Sequence, residues 1–447
     1  MKQLNIFILI TILLGSGCKK YLDKKPDKKL VTPSTLADLQ ALMDNSNYMN
    51  IYGWGLGETS ADDYYLTYAD WETMDDAERR SYIWGEDVTP GTTNDWSLIY
   101  NTIYTTNVVL DHITKINLQN STELDRNNVK GEALFYRSLE FFRLAVNYAN
   151  AYDDKTAPID LGIPLRISSD FNIKSTRATV KETYDQIISD LLKAIPILTP
   201  YPAHVLRPSK GAAYALLARV YLSMRNYDKA GIYADSSLQL NSKLLDYNDL
   251  NSNIKYSVPA YNVETIFYVT GGSGPILNFW AKIDSNLYQS YSTNDLRKSI
   301  FFKENSDGSH AFYGNYSGKL NYFQGLATDE QYLIRAESLA RSNKISEAMT
   351  ILNNLLIKRW KTGTFMPYQA KDSEEAISTI LKERRKELVM RDLRWQDIKR
   401  LNKEDANITL KRILNGQEYE LPPNSPRFAL PFPTYVIEMT GMQQNPR

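Results

Sequence analysis

Residues 211–234 read GAAYALLARVYLSMRNYDKAGIYA, and residues 329–352 read DEQYLIRAESLARSNKISEAMTIL. Counted from its first residue, the first stretch places Tyr214, Leu217, Ala218, Tyr221, Ala230 and Ala234 at positions 4, 7, 8, 11, 20 and 24. The second places Tyr332, Ala336, Leu339, Ala348 and Leu352 at 4, 8, 11, 20 and 24. Apolar residues three and four apart mark one face of a helix. Small residues at 8 and 20 let the two helices of a hairpin approach closely, and large residues at 4, 11 and 24 fill the gaps around them. Such a hairpin cannot bury its apolar face alone, so several must stack.

This is the tetratricopeptide spacing. Helices expected at 96–116 and 129–148, and at 180–195 and 210–222, supply further units. Thr179 with Glu182 three residues on is a capping-box pattern, and Pro196, Pro200 and Pro202 mark a stop. Thr35–Met43 reads as a first short helix. A helical scaffold is therefore expected over about 96–240 and 328–360. Two stretches break the pattern. Residues 45–95 carry Gly53, Gly55, Gly57, Pro90 and Gly91 among Tyr, Trp and Asp; residues 245–325 carry seven punctuating glycines and abundant Tyr and Trp, among them Tyr256, Tyr261, Trp280, Tyr288, Tyr291, Tyr313, Tyr316 and Tyr322. Both read as long loop excursions, the second with one short strand at Thr265–Thr270. A charged helix is expected from about Ser373 to Leu401, followed by a Pro-rich irregular tail to 447. The fold class is mainly α: tetratricopeptide-like hairpins as scaffold, long irregular insertions and little β.

The chain has 447 residues, ample for a large core, and its 43 % hydrophobic and 23 % charged content is that of a globular protein. Lys plus Arg and Asp plus Glu are both 52, a balance that argues against a nucleic-acid partner. Three His and one Cys argue against a His/Cys zinc site, and a lone Cys forms no intrachain disulfide. No metal or cofactor is expected. Aromatics reach 12 %, with 31 Tyr, and that excess needs a home.

The start has the pattern of a signal peptide over residues 1–17: Lys2, an apolar run Ile6–Leu14, then Gly15, Ser16, Gly17. The run is shorter than the roughly 20 residues a membrane-spanning helix needs. The single Cys18 follows directly, as in a bacterial lipobox, with Leu14 one place further away than is commonest. Cys18 is thus the expected lipidation site and residues 18–34 the tether. Acyl chains contribute about 0.8 kcal/mol per buried CH₂, so several on one Cys hold a soluble domain at a membrane.

Several of these pieces together resemble the SusD/RagB-like outer-membrane nutrient-binding lipoproteins of Bacteroidetes. They are the start CKKYLDKKP (18–26); Trp96, Tyr100, Ile103 and Asn107; and Arg137 within GEALFYRSLEFFRLAVNYA. Most specific is Glu383-Arg-Arg-Lys-Glu-Leu388 followed by Arg394-Trp395-Gln-Asp397-Ile-Lys-Arg400. The closing segment, Leu430-Pro-Phe-Pro433 with Ile437 and Gln444-Asn-Pro446, also matches. Arg391-Asp392 departs from the acidic residue and Gly often found there, which affects a turn. The resemblance spans nearly the whole mature chain and implies a single domain over 35–447. It further implies a lipid-anchored protein of the outer membrane, at the cell surface. There it captures oligosaccharides, or for some members peptides, and delivers them to a SusC-like TonB-dependent transporter without catalysis.

Sugar rings present an apolar C–H face that aromatic rings complement, and loops on a rigid scaffold are where binding residues concentrate. The candidates for ligand contact are Trp54, Asp62, Tyr64, Tyr65, Trp71 and Trp84 in the first excursion. Trp280, Tyr291, Tyr313 and Tyr316 are those of the second. Trp96 and Trp395 belong to helices and are assigned to the core. For catalysis, Asp62-Asp63 and Asp75-Asp76 supply carboxylates, but glycoside hydrolysis needs a pair about 5–10 Å apart across a sugar. His112, His204 and His310 lie in no nucleophile pattern, and no GxSxG, HExxH, P-loop or GxGxxG occurs. The interleaved charges of Glu383–Arg400 read as a salt-bridged helix. Glycan binding is thus the leading expectation. Peptide or other nutrient binding, and a lipid-anchored glycosidase, are the alternatives.

Overall fold

The structure is a computed structural model describing residues 33–447 except 52, 54, 87–93 and 273. The signal peptide, Cys18 and most of the expected tether lie outside the described residues, as does Trp54. Helix α1 (Leu36–Met43) opens with a capping box between Thr35 and Asp38. Helix α2 (Ser46–Met49) leads into the first excursion. That segment is not a continuous loop. It holds α3 (Leu56–Ser60), strand β1 (Tyr64–Tyr65), α4 (Tyr68–Glu72) and α5 (Asp76–Tyr82). Thr67 and Asp75 cap the last two, each accepting from the backbone N–H three residues on.

The scaffold begins with α6 (Asp95–His112) and α7 (Glu123–Tyr148); α7 starts six residues earlier than its apolar period suggested, at the Thr122–Asp125 capping box. Strands β2 (Leu161–Pro164) and β3 (Arg177–Thr179) precede α8 (Val180–Ala194), whose Thr179–Glu182 capping box forms as expected. Helices α9 (Lys210–Ser223) and α10 (Tyr227–Leu240) make the first of the two repeat hairpins. Helix α8 packs chiefly on α7 and only lightly on α9, so the expected 180–222 hairpin is looser than the others.

The second excursion holds β4 (Thr265–Phe267), β5 (Thr270–Gly271), β6 (Lys282–Ile283), α11 (Ser285–Gln289), α12 (Arg297–Phe301), β7 (Phe302–Glu304), β8 (His310–Phe312), β9 (Tyr322–Phe323) and β10 (Leu326–Ala327). The expected strand at 265–270 is thus two pieces, pairing with β10 and β9. The second repeat hairpin is α13 (Thr328–Arg341) and α14 (Ile345–Leu356); α13 packs on α10, so the two repeat units stack directly. Ala218, Ala230, Ala336 and Ala348, the small residues at positions 8 and 20, are all fully buried.

The expected long charged helix is broken into α15 (Ser373–Glu387) and α16 (Arg394–Asn402), with Met390 and Asp392 between them at φ 58° and 59°. The tail is not wholly irregular. Strands β11 (Leu410–Leu414) and β12 (Gln417–Leu421) form a hairpin, and α17 (Thr434–Thr440) follows. Among the described residues helix makes up 47 % and strand 10 %, the latter as two-stranded ladders, in keeping with a mainly α fold.

Two apolar cores bear on function. One runs through α1 and α6–α10 and includes Trp96 and Trp395. The other lies within the excursions and gathers Tyr64, Tyr82, Tyr247, Tyr268, Tyr291, Tyr316 and Tyr322. Part of the tyrosine excess is therefore internal. A buried charge network joins α12, α13, α15 and α16. Arg297 binds Asp295, Glu383 and Glu387, while Arg359 binds Glu387 and Glu264. Arg400 joins Glu337 to Asp397, which also takes Arg384. The 383–400 run is thus salt-bridged, but across tertiary contacts more than along one exposed helix.

Candidate functional site

The excursions meet edge to edge. Strand β1 pairs antiparallel with β6, setting Tyr64 opposite Ile283 and Tyr65 opposite Lys282. Alternation along a strand sends neighbours to opposite faces. Tyr64 accordingly points into the excursion core and Tyr65 toward solvent, at 1 % and 37 % exposed. Lys282 Nζ donates to Asp70 Oδ2 at 2.8 Å and to the Trp280 carbonyl at 3.3 Å. Burial alone would raise the Asp70 carboxyl; the bonds from Lys282 and Thr67 outweigh it and hold Asp70 below the usual carboxylate range. This clamp fixes α4 beside the 277–284 segment.

Around the clamp the rings come from both excursions. Tyr68 and Trp71, three apart on α4 and hence on one face, stack with centroids 5.9 Å apart and planes 29° apart. The Trp71 indole N–H donates to the Arg79 carbonyl at 3.1 Å, which fixes the ring while leaving it partly exposed. Across the clamp, Phe279 and Trp280 lie 4.1 Å apart, and Phe279 is 56 % exposed. Asn278, next in the chain, donates to the Tyr256 hydroxyl at 2.8 Å and to the Phe312 carbonyl at 3.2 Å. Tyr256 in turn packs on Tyr313 at 5.1 Å. Tyr65, Tyr68, Trp71, Phe279, Trp280 and Tyr313 thus form a ridge of half-open rings, held in place by the buried Lys282 and Asn278, with the half-exposed Asp70 beside them.

Other candidates are placed elsewhere. Tyr64, Trp84, Tyr291 and Tyr316 are each 1 % exposed and present no ring face to a ligand. The Trp84 indole donates to the Ser60 carbonyl, and the Tyr291 hydroxyl to the Lys386 carbonyl. The Tyr316 hydroxyl donates to Glu264 at 2.6 Å. These four are corrected to core positions: a ring whose polar tip finds a backbone or carboxylate partner is well placed inside. Asp62 is half-buried with its carboxylate held by Arg394 at 2.6 and 3.0 Å; burial opposes ionisation, but Arg394 and Arg385 keep it well below the usual range. Asp63 is tied to Arg385, and Asp75 caps α5. His112 meets the Val108 carbonyl, and His310 stacks on Tyr288 at 3.6 Å. Among the described residues no group of three or more His, Cys, Asp or Glu is arranged to hold a metal ion.

The ridge residues that sequence reasoning missed were Tyr68, Phe279 and the Asp70–Lys282 pair. The i,i+3 spacing of Tyr68 and Trp71 and the adjacency of Phe279 to Trp280 were visible signals. The ion pair joins positions 212 apart in the chain and had none.

Comparison with known proteins agrees with this architecture. Residues 20–222 match the family model described as starch-binding, associating with the outer membrane, and residues 285–432 match that of the SusD family. The chain belongs to the SusD/RagB-like family. SusD-like protein P2 of Formosa agariphila is 26 % identical over 476 residues, covering 90 % of this chain and 91 % of that protein. A SusD superfamily structure from Bacteroides thetaiotaomicron superposes with TM-score 0.75 at 25 % identity, over 92 % of this chain and all of that one. A laminarin-binding SusD-like protein shares the fold at TM-score 0.67 and 18 % identity, over 92 % and 98 %. The family is associated with the outer membrane. No helix among the described residues is long and apolar enough to cross a membrane.

Proposed function

We propose that this SusD-family chain captures oligosaccharides on the aromatic ridge and performs no chemistry on them. The observation that carries this reading is the β1–β6 junction. It places Tyr65, Tyr68 and Trp71 of one excursion beside Phe279 and Trp280 of the other, around the Asp70–Lys282 clamp. Flat rings match the apolar C–H faces of linked pyranoses, and the half-exposed Asp70 lies beside them for a hydroxyl edge. Tyr and Trp have few rotatable bonds, so holding them costs little entropy. The engagement of Asp62, Asp63 and Asp75 in ion pairs and a helix cap favours binding over hydrolysis.

Membership of the family supports the rest of the reading. Cys18 carries the lipid, the protein faces outward from the outer membrane, and the captured glycan passes to a SusC-like TonB-dependent transporter. Isothermal titration against a panel of oligosaccharides and peptides tests the ligand class. The reading expects binding of an oligosaccharide without release of shorter products. Binding of peptides alone would replace the ligand, and product release would replace the mechanism. Pull-down of the full-length lipoprotein from membranes is expected to bring down a large barrel protein; a solitary lipoprotein would contradict the transporter assignment.

A further inference from the structure

Away from both excursions, a cavity of about 300 Å³ lies between α6, the 165–176 loop that joins β2 to β3, and the closing segment with α17. Tyr100 and Tyr104 of α6, Phe171 and Ser175 of the loop, and Thr440 and Met442 line it. Phe171 is 82 % exposed, more than any other aromatic ring among the described residues, and Tyr104 is 52 % exposed. Among those residues neither ring packs on another aromatic. A single exposed ring is ordinary on a surface. Phe171 differs because the backbone that carries it is fixed. The Asn107 amide donates to the carbonyls of Arg166 at 2.8 Å and Ser168 at 3.3 Å. Asn107 is itself held by the buried Arg137, which pairs with Asp190. Asp111 accepts from the Ser169 N–H at 2.8 Å and from its hydroxyl at 2.7 Å. Arg166 donates across the loop to the Asp170 carbonyl at 2.6 Å, to the Ser175 hydroxyl at 3.3 Å and to the Ile173 carbonyl. Asp170 accepts from the Asn172 N–H at 2.9 Å. The loop is thus ordered before any ligand arrives, and binding at Phe171 does not bear that entropy.

The lining sets what the cavity takes. Rings from two elements bound it without filling it, which suits a ligand ring with an apolar C–H face. Its free hydrogen-bonding groups are hydroxyls. The Ser175 hydroxyl accepts from Arg166 and donates to nothing among the described residues, and the Tyr104 hydroxyl has no partner there. No carboxylate lines the cavity, and Arg166 is engaged within its own loop. The volume is at the lower end of the roughly 300–1,000 Å³ of small-molecule pockets, whereas a stable protein partner needs a face of about 800 Å². A neutral, hydroxyl-bearing ring fits these terms.

We propose that this cavity is a second glycan site, separate from the ridge, that takes one neutral pyranose unit against Tyr104 and Phe171 with the Ser175 and Tyr104 hydroxyls bonded to its edge. This rests on the glycan-binding reading above and adds a site to it. The test titrates the full mature chain with laminari-, malto-, xylo- and manno-trisaccharides, short enough to report on single sites. Two molecules of the tightest one are expected per chain at saturation. In Trp71→Ala/Trp280→Ala, which weakens the ridge, the binding that remains should fall roughly tenfold or more when Phe171→Ala and Tyr104→Ala are added. Phe171→Ala/Tyr104→Ala alone should leave ridge affinity within about twofold, since distant sites act independently. It should still weaken retention on native gels containing laminarin, starch, xylan or mannan about tenfold, because two linked sites raise avidity. Both residues are exposed, so these variants should melt near the parent temperature. One molecule bound per chain, unaffected by the paired substitution, would overturn the second site and leave ridge capture standing. Loss of the barrel protein from the pull-down of the paired variant, with both glycan readouts unchanged, would overturn it as well and mark the cavity as a protein contact. Binding of no trisaccharide would overturn both readings.

Discussion

At the scale of single residues, similar side chains have opposite roles, and burial separates them. Trp84 and Tyr316 are 1 % exposed, whereas Phe279 is 56 % exposed. Trp84→Ala should cost about 3–5 kcal/mol of stability, the usual range for truncating a buried aromatic. Tyr316→Phe removes a donor to the buried Glu264 and should cost about 1–3 kcal/mol. Denaturant titration checks both, and neither should change oligosaccharide affinity per folded molecule. The ridge was only partly legible in the sequence. Tyr65, Trp71, Trp280 and Tyr313 were named from composition and loop context. The same reasoning named Tyr64, Trp84, Tyr291 and Tyr316, because nothing local distinguishes a ring aimed inward from one aimed out. Only the β1–β6 register decides that Tyr64 faces in and Tyr65 out, and register is a long-range property.

At the scale of elements, close approach is what the small residues secure. Gly231 of α10 faces α13: a Cβ placed there would meet Ser338 Oγ at 2.0 Å and Ser338 Cβ at 2.6 Å. Gly231→Ala is expected to destabilise by about 1–3 kcal/mol through overpacking, despite the better helix propensity of Ala. Thermal melting reads this, and an unchanged or raised Tm would show that the two repeat hairpins do not pack as described. The helices and their hairpin spacing were readable because a 3.6-residue period and capping boxes are local. The β11–β12 hairpin was also encoded locally. Asn415 and Gly416, at φ 48° and 80°, form a strong turn signal between alternating strands that a Pro-rich reading of the tail passed over. The break between α15 and α16 was marked only by the turn that the family resemblance puts at Arg391-Asp392, not by a local Gly or Pro. Met390 and Asp392 adopt positive φ because Arg391 is held by Asp329, and Asp392 exchanges bonds with Glu58.

At the scale of the molecule, buried charge ties the excursions to the scaffold. Arg359 links Glu264 of the second excursion to Glu387 at the end of α15. Arg359→Met would leave the buried Glu264 without its cation and Glu387 with Arg297 alone, and should cost about 3–5 kcal/mol. Glu132 of α7 gives a pH signature. Burial pushes its carboxyl up from 4.5 to about 7, against the bonds from Gln40 and Asn128. A carboxyl raised in the folded state favours folding below its unfolded value, and that contribution fades as pH rises. Stability should therefore decline between about pH 4.5 and 7 by roughly 3 kcal/mol from this group alone. In Glu132→Gln that part of the decline should be absent; an identical pH profile would contradict the assignment.

Titration of Trp71→Ala and of Phe279→Ala/Trp280→Ala with the tightest oligosaccharide of the panel addresses the ridge itself. Losing a stacking ring is worth about 1–2 kcal/mol, so each variant should bind roughly tenfold more weakly or worse while melting near the parent temperature. Unchanged affinity in both would contradict the central claim that rings from the two excursions together hold the ligand.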